Sequence, residues 1–225
     1  MKRRTSALAV SSAALLAAAP LLTGCSTDSH PGAAAVVGDE RITVSSVQAQ
    51  VETVREAQRE QPDADQLLAS SAGLTRAMVD HLVYQEVLEQ TAEAYGVEVS
   101  TAQIQQERIR TEAALGGADE LRQAALLGTA DLPPLAGDEQ IDQVLRRQLL
   151  FQSIAVQLNA PAGPEGEQLV YETMAATADE IGVEVNPRYG SWSAEAVGLA
   201  DADTPWVRPY VPAEDDEALI PMPPA

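Results

Sequence analysis

Cysteine, histidine and lysine carry most of the nucleophilic, metal-binding and covalent chemistry open to a protein. This chain of 225 residues holds very few of them. Cys25 is its single thiol and closes the run Leu22-Thr23-Gly24-Cys25. The histidines are His30 and His81, and Lys2 is the single lysine. Two histidines so placed, one in a polar segment and one in a helical pattern, are a poor basis for a zinc site. A chain with no lysine past residue 2 offers no phosphate-cradling, Schiff-base or Ser-x-x-Lys lysine. Neither Gly-x-Ser-x-Gly nor His-Glu-x-x-His occurs. Asp201-Ala202-Asp203 opens like a calcium loop, but Pro205 and Trp206 stand where a further acidic ligand and a glycine are needed. The 34 carboxylates are too many for any chance pair to carry information. No catalytic residue, metal ligand or cofactor is assigned, and the chain is expected not to be an enzyme.

The context of Cys25 decides what its sulfur can do. Lys2, Arg3 and Arg4 make a basic start, and the apolar run from Ala7 to Leu22 follows. That run is shorter than the ~20 residues a bilayer-spanning helix needs. A charged start, a short apolar segment and small residues at the end are the parts of a signal peptide. With its terminal cysteine, the segment Leu22, Thr23, Gly24, Cys25 resembles the lipobox of bacterial lipoproteins. The resemblance implies a lipoprotein signal peptide over residues 1–24, cleavage before Cys25, and diacylglycerol with palmitate-type chains on the Cys25 sulfur. Its nitrogen would carry a third acyl chain or remain a free amine. Two acyl chains anchor stably where one does not. The mature chain is therefore expected at the cell membrane, on the extracytoplasmic face, held by lipid alone. Acylated Cys25 leaves no thiol for a disulfide, so stability has to come from packing.

Charge limits the partners. The chain is at −20, and removing Lys2, Arg3 and Arg4 with the signal takes it to −23. Nucleic acid requires basic patches, and anionic lipid repels an acidic body. Neither nucleic acid nor nucleotide is an expected partner. Acidity of this size reads first as solubility.

The elements that position these residues are mostly helical. Residues 25–34 are small and polar and read as a flexible spacer. From residue 35, Val36-Val37, Gly38-Asp39 and Arg41-Ile42 predict a short hairpin, because glycine supplies a positive φ. Thr43 or Ser45 then caps a helix to about Gln58, with Val44, Val47, Val51 and Val54 on one face. A longer pattern runs from about Leu67 to Tyr95 through Leu74, Met78, Leu82, Val83, Val87 and Leu88, with His81 at its edge as a structural residue. Ser100 and Gln103 have the spacing of a capping box and start a helix that Gly116-Gly117 stops. A short helix over 119–127 and a loop at 128–138 lead to the most apolar stretch, 138–158, which reads as the central helix. Its predicted face holds Ile141, Val144, Leu145, Leu149, Gln152 and Val156, widened by Leu150, Phe151, Ile154 and Leu158. The last helix spans about 165–181, and a Val183–Asn186 strand follows. Residues 196–225, acidic and Pro-rich, are expected to be disordered.

Three of these stretches together resemble the extracytoplasmic chaperones of the SurA and PrsA type. "AAVVGDERITVSSVQ" is similar to their opening strand, turn and helix, "YGVEVSTAQI" to their Gly-Val-x-Val-Ser helix start, and "GVEVNPRYGSW" to their closing strand with its Asn-Pro-Arg-Tyr-Gly motif. The resemblance implies a mostly α fold: a helical SurA N-terminal-like module over 35–195, closed by a small β element in which the N- and C-terminal strands pair. It also implies a cradle for client polypeptide. Pairing Val36–Ile42 with Val183–Val185 would satisfy backbone groups that either strand alone leaves open. The foldases of this type insert a parvulin prolyl isomerase before the last helix. Here "NAPAGPEG" fills that gap, far too short for a domain, so isomerase activity is not implied.

The expected function is a membrane-anchored, ATP-independent holdase that binds unfolded or newly secreted polypeptides. The alternative is a dedicated protein-interaction lipoprotein on the same scaffold, without general chaperone activity. A solute-binding lipoprotein would need alternating strands and helices, which the pattern does not show. No peptide-binding residue is assigned from the sequence.

Overall fold

The computed structural model describes residues 31–201. Strand β1 (Ala33–Val37) turns back through Gly38 and Asp39 into β2 (Glu40–Thr43). Gly38 takes φ 56°, and its N–H donates to Gly182 O at 2.9 Å, so this turn also faces the far end of the chain. Thr43 caps α1 (Val44–Arg59), its side chain accepting from Ser46 N at 3.0 Å. Val47, Val51 and Val54 are buried, as the valine spacing predicts, and Gln58 extends the stripe.

The long helix expected over 67–95 is two helices, α2 (Ala64–Ser70) and α3 (Leu74–Ala94). Ser71 makes the break. Its hydroxyl donates to Leu67 O at 2.9 Å and to Gln58 Oε1 at 3.0 Å, a competing arrangement that serine offers a backbone. Gly73, a poor helix former, lies at the start of α3.

Beyond Gly96 the chain runs through Val97–Val99 to the capping box. Ser100 Oγ accepts from Gln103 N at 3.3 Å, and Ser100 N donates to Gln103 Oε1 at 2.9 Å. Helix α4 (Thr101–Leu115), α5 (Ala118–Leu127), α6 (Asp138–Gln157) and α7 (Pro164–Ile181) follow. Residues 158–163 alone separate α6 from α7, so no inserted domain lies there.

The central helix is α3, not α6. Leu74, Met78, Val79, His81, Val83, Val87, Leu88, Thr91 and Ala92 bury positions over most of its circumference, and it packs on α1, α6, α7, β1 and β5 (Gly198–Ala200). Glu86, Glu89, Gln90 and Glu93 share one side of it, and the neighbours packed on its other sides put α3 in the middle of the fold. The α6 stripe also departs from its expected course. Ile141, Leu145, Leu150 and Ile154 are buried, whereas Gln152 is exposed and Val156 is 78% exposed. At about 100° per residue Leu150 and Ile154 lie on the opposite side of the helix from Ile141 and Leu145, so the buried side changes along α6, and Val156, on the side of Leu145, is left outside.

The two ends of the fold meet. In the sheet β2-β1-β3, with β3 at Val183–Val185, Ala35 pairs with Val185, Val36 with Glu184 and Val37 with Val183, all antiparallel. Asn186 extends the seam, its N–H donating to Ala34 O at 2.9 Å and its side chain to Ala33 O at 3.3 Å. Two boundaries shift accordingly. Ala33 and Ala34, expected in the spacer, are buried in β1. The segment expected to lose order at residue 196 continues into β5, which pairs with β4 (Ser191–Ser193). Gly190 permits that pairing, because a side chain there would collide with Ala200 O. The rest of the tail lies outside the described residues.

Candidate functional site

Where α3, α6 and α7 diverge they leave a cleft of about 850 Å³. Helix α3 contributes Leu74, Ala77, Asp80, His81 and Tyr84, α6 contributes Arg147, and α7 contributes Gln168, Tyr171, Glu172 and Ala175. Two connections close its sides, residues 129–134 and the 194–198 turn between β4 and β5. The first is fastened by Thr129 N to Leu132 O and Leu135 N to Ala125 O, both 2.9 Å. Ala136 N donates to Gln140 Oε1 at 2.7 Å beyond it. The second is tied to α3 by Leu199 N donating to Asp80 Oδ1 at 2.6 Å. Val197 in this turn holds φ 45°, a conformation β-branched residues rarely adopt, and its burial at 3% exposure keeps it there.

The inner wall is a stack of aromatic and cationic groups. Arg147 lies over the Tyr84 ring, 4.5 Å from guanidinium carbon to centroid. Its Nη1 is 3.3 Å from His81 Nδ1. A guanidinium only donates, so Nδ1 accepts and the neutral ring carries its proton on Nε2. Burial, and after it the Arg147 charge, pushes the His81 imidazole down to about 4. Burial also pushes the Tyr84 hydroxyl well up, aided by the neighbouring Tyr171 hydroxyl. Tyr171 packs on Phe151 with centroids 5.3 Å apart and rings tilted by 57°, while 38% of Tyr171 stays exposed.

At neutral pH His81 is uncharged, buried and already hydrogen-bonded, which suits it to a wall and not to proton transfer. Among the described residues no group of three His, Cys, Asp or Glu side chains could hold a metal ion. No helix among them is long and apolar enough to cross a membrane. The cleft combines aromatic faces, alkyl surface and a charged rim formed by Asp131, Glu172 and Glu195, a mixed lining that can take up a length of polypeptide.

His81 proves to be the structural residue its position predicts, and it lies against this cleft. Cys25, Leu22, Thr23, Gly24 and His30 lie outside the described residues. Asp201 ion-pairs with Arg76 at 3.1 Å at the end of β5. The sequence reading assigned no cleft residue. The available signal was Tyr84 one turn beyond Asp80 and His81 on one helix, with Arg147 within the apolar stretch 138–158.

Comparison with family models matches residues 1–155 to the SurA-like N-terminal domain. The match runs from the start of the chain into α6 and stops before α7 and β3. Comparison with curated proteins gives no match. Comparison with solved structures gives none either. With more than half of its length matched and its helices in place, the chain belongs to the SurA-like N-terminal domain family, whose domains are non-catalytic, chaperone-type binders of polypeptide.

Proposed function

We propose that this protein is a lipid-anchored, ATP-independent holdase that shelters unfolded, newly secreted polypeptides outside the cytoplasmic membrane. The observation that carries this reading is the open cleft of about 850 Å³, with Tyr84 and Tyr171 at its wall. Aromatic and alkyl surface binds apolar client segments without sequence discrimination. A net charge of −23 once residues 1–24 are removed keeps the loaded complex soluble and disfavours nucleic acid and nucleotide as partners. The Leu22–Cys25 segment supports a lipid tether at Cys25.

The test is aggregation of a reduced or heat-treated client in the presence of the chain from Ser26 onward. Suppression is expected near equal stoichiometry, and none at severalfold excess refutes the holdase. Ala175→Trp, which fills the cleft, should remove suppression while leaving the circular dichroism spectrum unchanged. Capture of one stoichiometric partner with no suppression would instead identify a dedicated interaction module. Labelled palmitate should enter the wild type and not Cys25→Ser, and equal labelling would remove the tether from the reading.

A further inference from the structure

We infer that the cleft has an occupant supplied by the chain itself: the segment Pro205–Val211, "PWVRPYV", which docks across it. The direction of the chain is the first reason. β5 runs along α3 toward that helix's N-terminus, from Asp80, which holds Leu199 N at 2.6 Å, to Arg76, which ion-pairs with Asp201 at 3.1 Å. Gly73 and Ser71, next along the same line, are cleft residues, only about 8 Å further at 1.5 Å per residue. Trp206 follows Asp201 by five residues, a reach of up to about 17 Å in extended chain. The segment is delivered to the rim by the strand that precedes it.

The second reason is chemistry. The chain has two tryptophans, five tyrosines and one phenylalanine, and Trp206 and Tyr210 lie within one short stretch of it. Arg208 between them is the only cation after Arg188. The cleft offers the complement. Asp131, Glu172 and Glu195 line it, and no ion pair among the described residues engages any of the three. The exposed part of Tyr171 presents an aromatic face beside Glu172. Arg208 against these carboxylates, with Trp206 and Tyr210 on the tyrosine wall, pairs opposite charges and buries the apolar rings together. Pro205, Pro209 and Pro212 restrict the segment's backbone, so docking gives up less conformational entropy. Where the cleft also seats clients, which rests on the holdase reading, the segment is a placeholder that a client displaces.

Trp206 is the reporter. In the full chain with Trp192→Phe it is the only tryptophan, and its acrylamide quenching is compared with that of a free peptide of residues 202–213. The expected Stern–Volmer constant is severalfold below the peptide's, unchanged on dilution, and rises to the peptide's value in Arg208→Glu. Combining Arg208→Glu with Glu172→Arg should restore protection. If Trp192→Phe does not fold, the difference between wild type and Trp206→Phe gives the same readout with Trp192 kept. Quenching equal to the free peptide overturns the inference, as does protection indifferent to both charge changes. Protection lost on dilution overturns it in favour of a second copy as the occupant. No client is present in any arm, so these outcomes are independent of whether the protein is a holdase.

Discussion

Protonating His81 should loosen the wall of the cleft, and the size of the effect follows from its surroundings. The ring is 4% exposed, its Nδ1 accepts from Arg147, and its pKa is held at about 4. In the unfolded chain an imidazole titrates near 6.5. Between those values the unfolded chain binds a proton that the native chain refuses. Unfolding free energy therefore falls as pH drops through about 6.5, and the loss is complete near pH 4. At about 1.4 kcal/mol per pKa unit, the whole loss is ~3 kcal/mol, of which ~2 has accrued by pH 5. That is a large share of the 5–15 kcal/mol typical of a domain. Glu86 works in the opposite sense, because burial chiefly, opposed by the Gln90 hydrogen bond and reinforced by Glu89, Glu40 and Glu93, raises its pKa. Its contribution is present at low pH and lost as pH rises through the raised value. The comparison that isolates the imidazole is urea unfolding of wild type and His81→Gln at pH 7, 6 and 5. Glutamine keeps an acceptor for Arg147 and has no proton to gain. The wild type should lose about 2 kcal/mol more than the variant between pH 7 and 5. Parallel curves for the two proteins would refute a buried, neutral His81.

Three further outcomes test the packing. Leu88→Ala, at a fully buried position of α3, should cost about 2–5 kcal/mol in chemical unfolding. Ser100→Ala removes one arm of the capping box, and should lower stability by about 1 kcal/mol with the change in amide exchange confined to the start of α4. Arg108 is 12% exposed and reaches Asp142 at 2.7 Å and Asp138 at 3.4 Å. Arg108→Ala should cost about 1.5 kcal/mol, at the low end because Asp138 is open to solvent, and should speed amide exchange through α4.

Much of the scaffold was readable because local chemistry announced it. The valines of α1 repeat at helical spacing, and Thr43 and Ser100 are side chains that cap. The β1–β3 seam followed from a resemblance together with the open backbone each strand would otherwise carry. The α2–α3 break did not, since Ser70-Ser71-Ala72-Gly73 lacks a proline, and what decides it is the contact of Ser71 with Gln58, 13 residues away. β5 was missed because Gly198-Leu199-Ala200 shows no alternation and depends on a turn that forces Val197 to positive φ. The cleft itself is a gap among three helices and two connections. No run of residues encodes such a gap, and the spacing of Asp80, His81 and Tyr84 along one helix, with Arg147 on another, was the one hint of it.

The seam between β1 and β3 also orders events in time. Val37 and Val183, partners across it, are separated by 146 positions, so a chain made from its N-terminus onward completes α1 to α7 before the seam can form. Until then β1 keeps one open side, a ready template for pairing with a stranger. Copies cut short of Val183 keep that edge open for good and are expected to aggregate where finished copies do not.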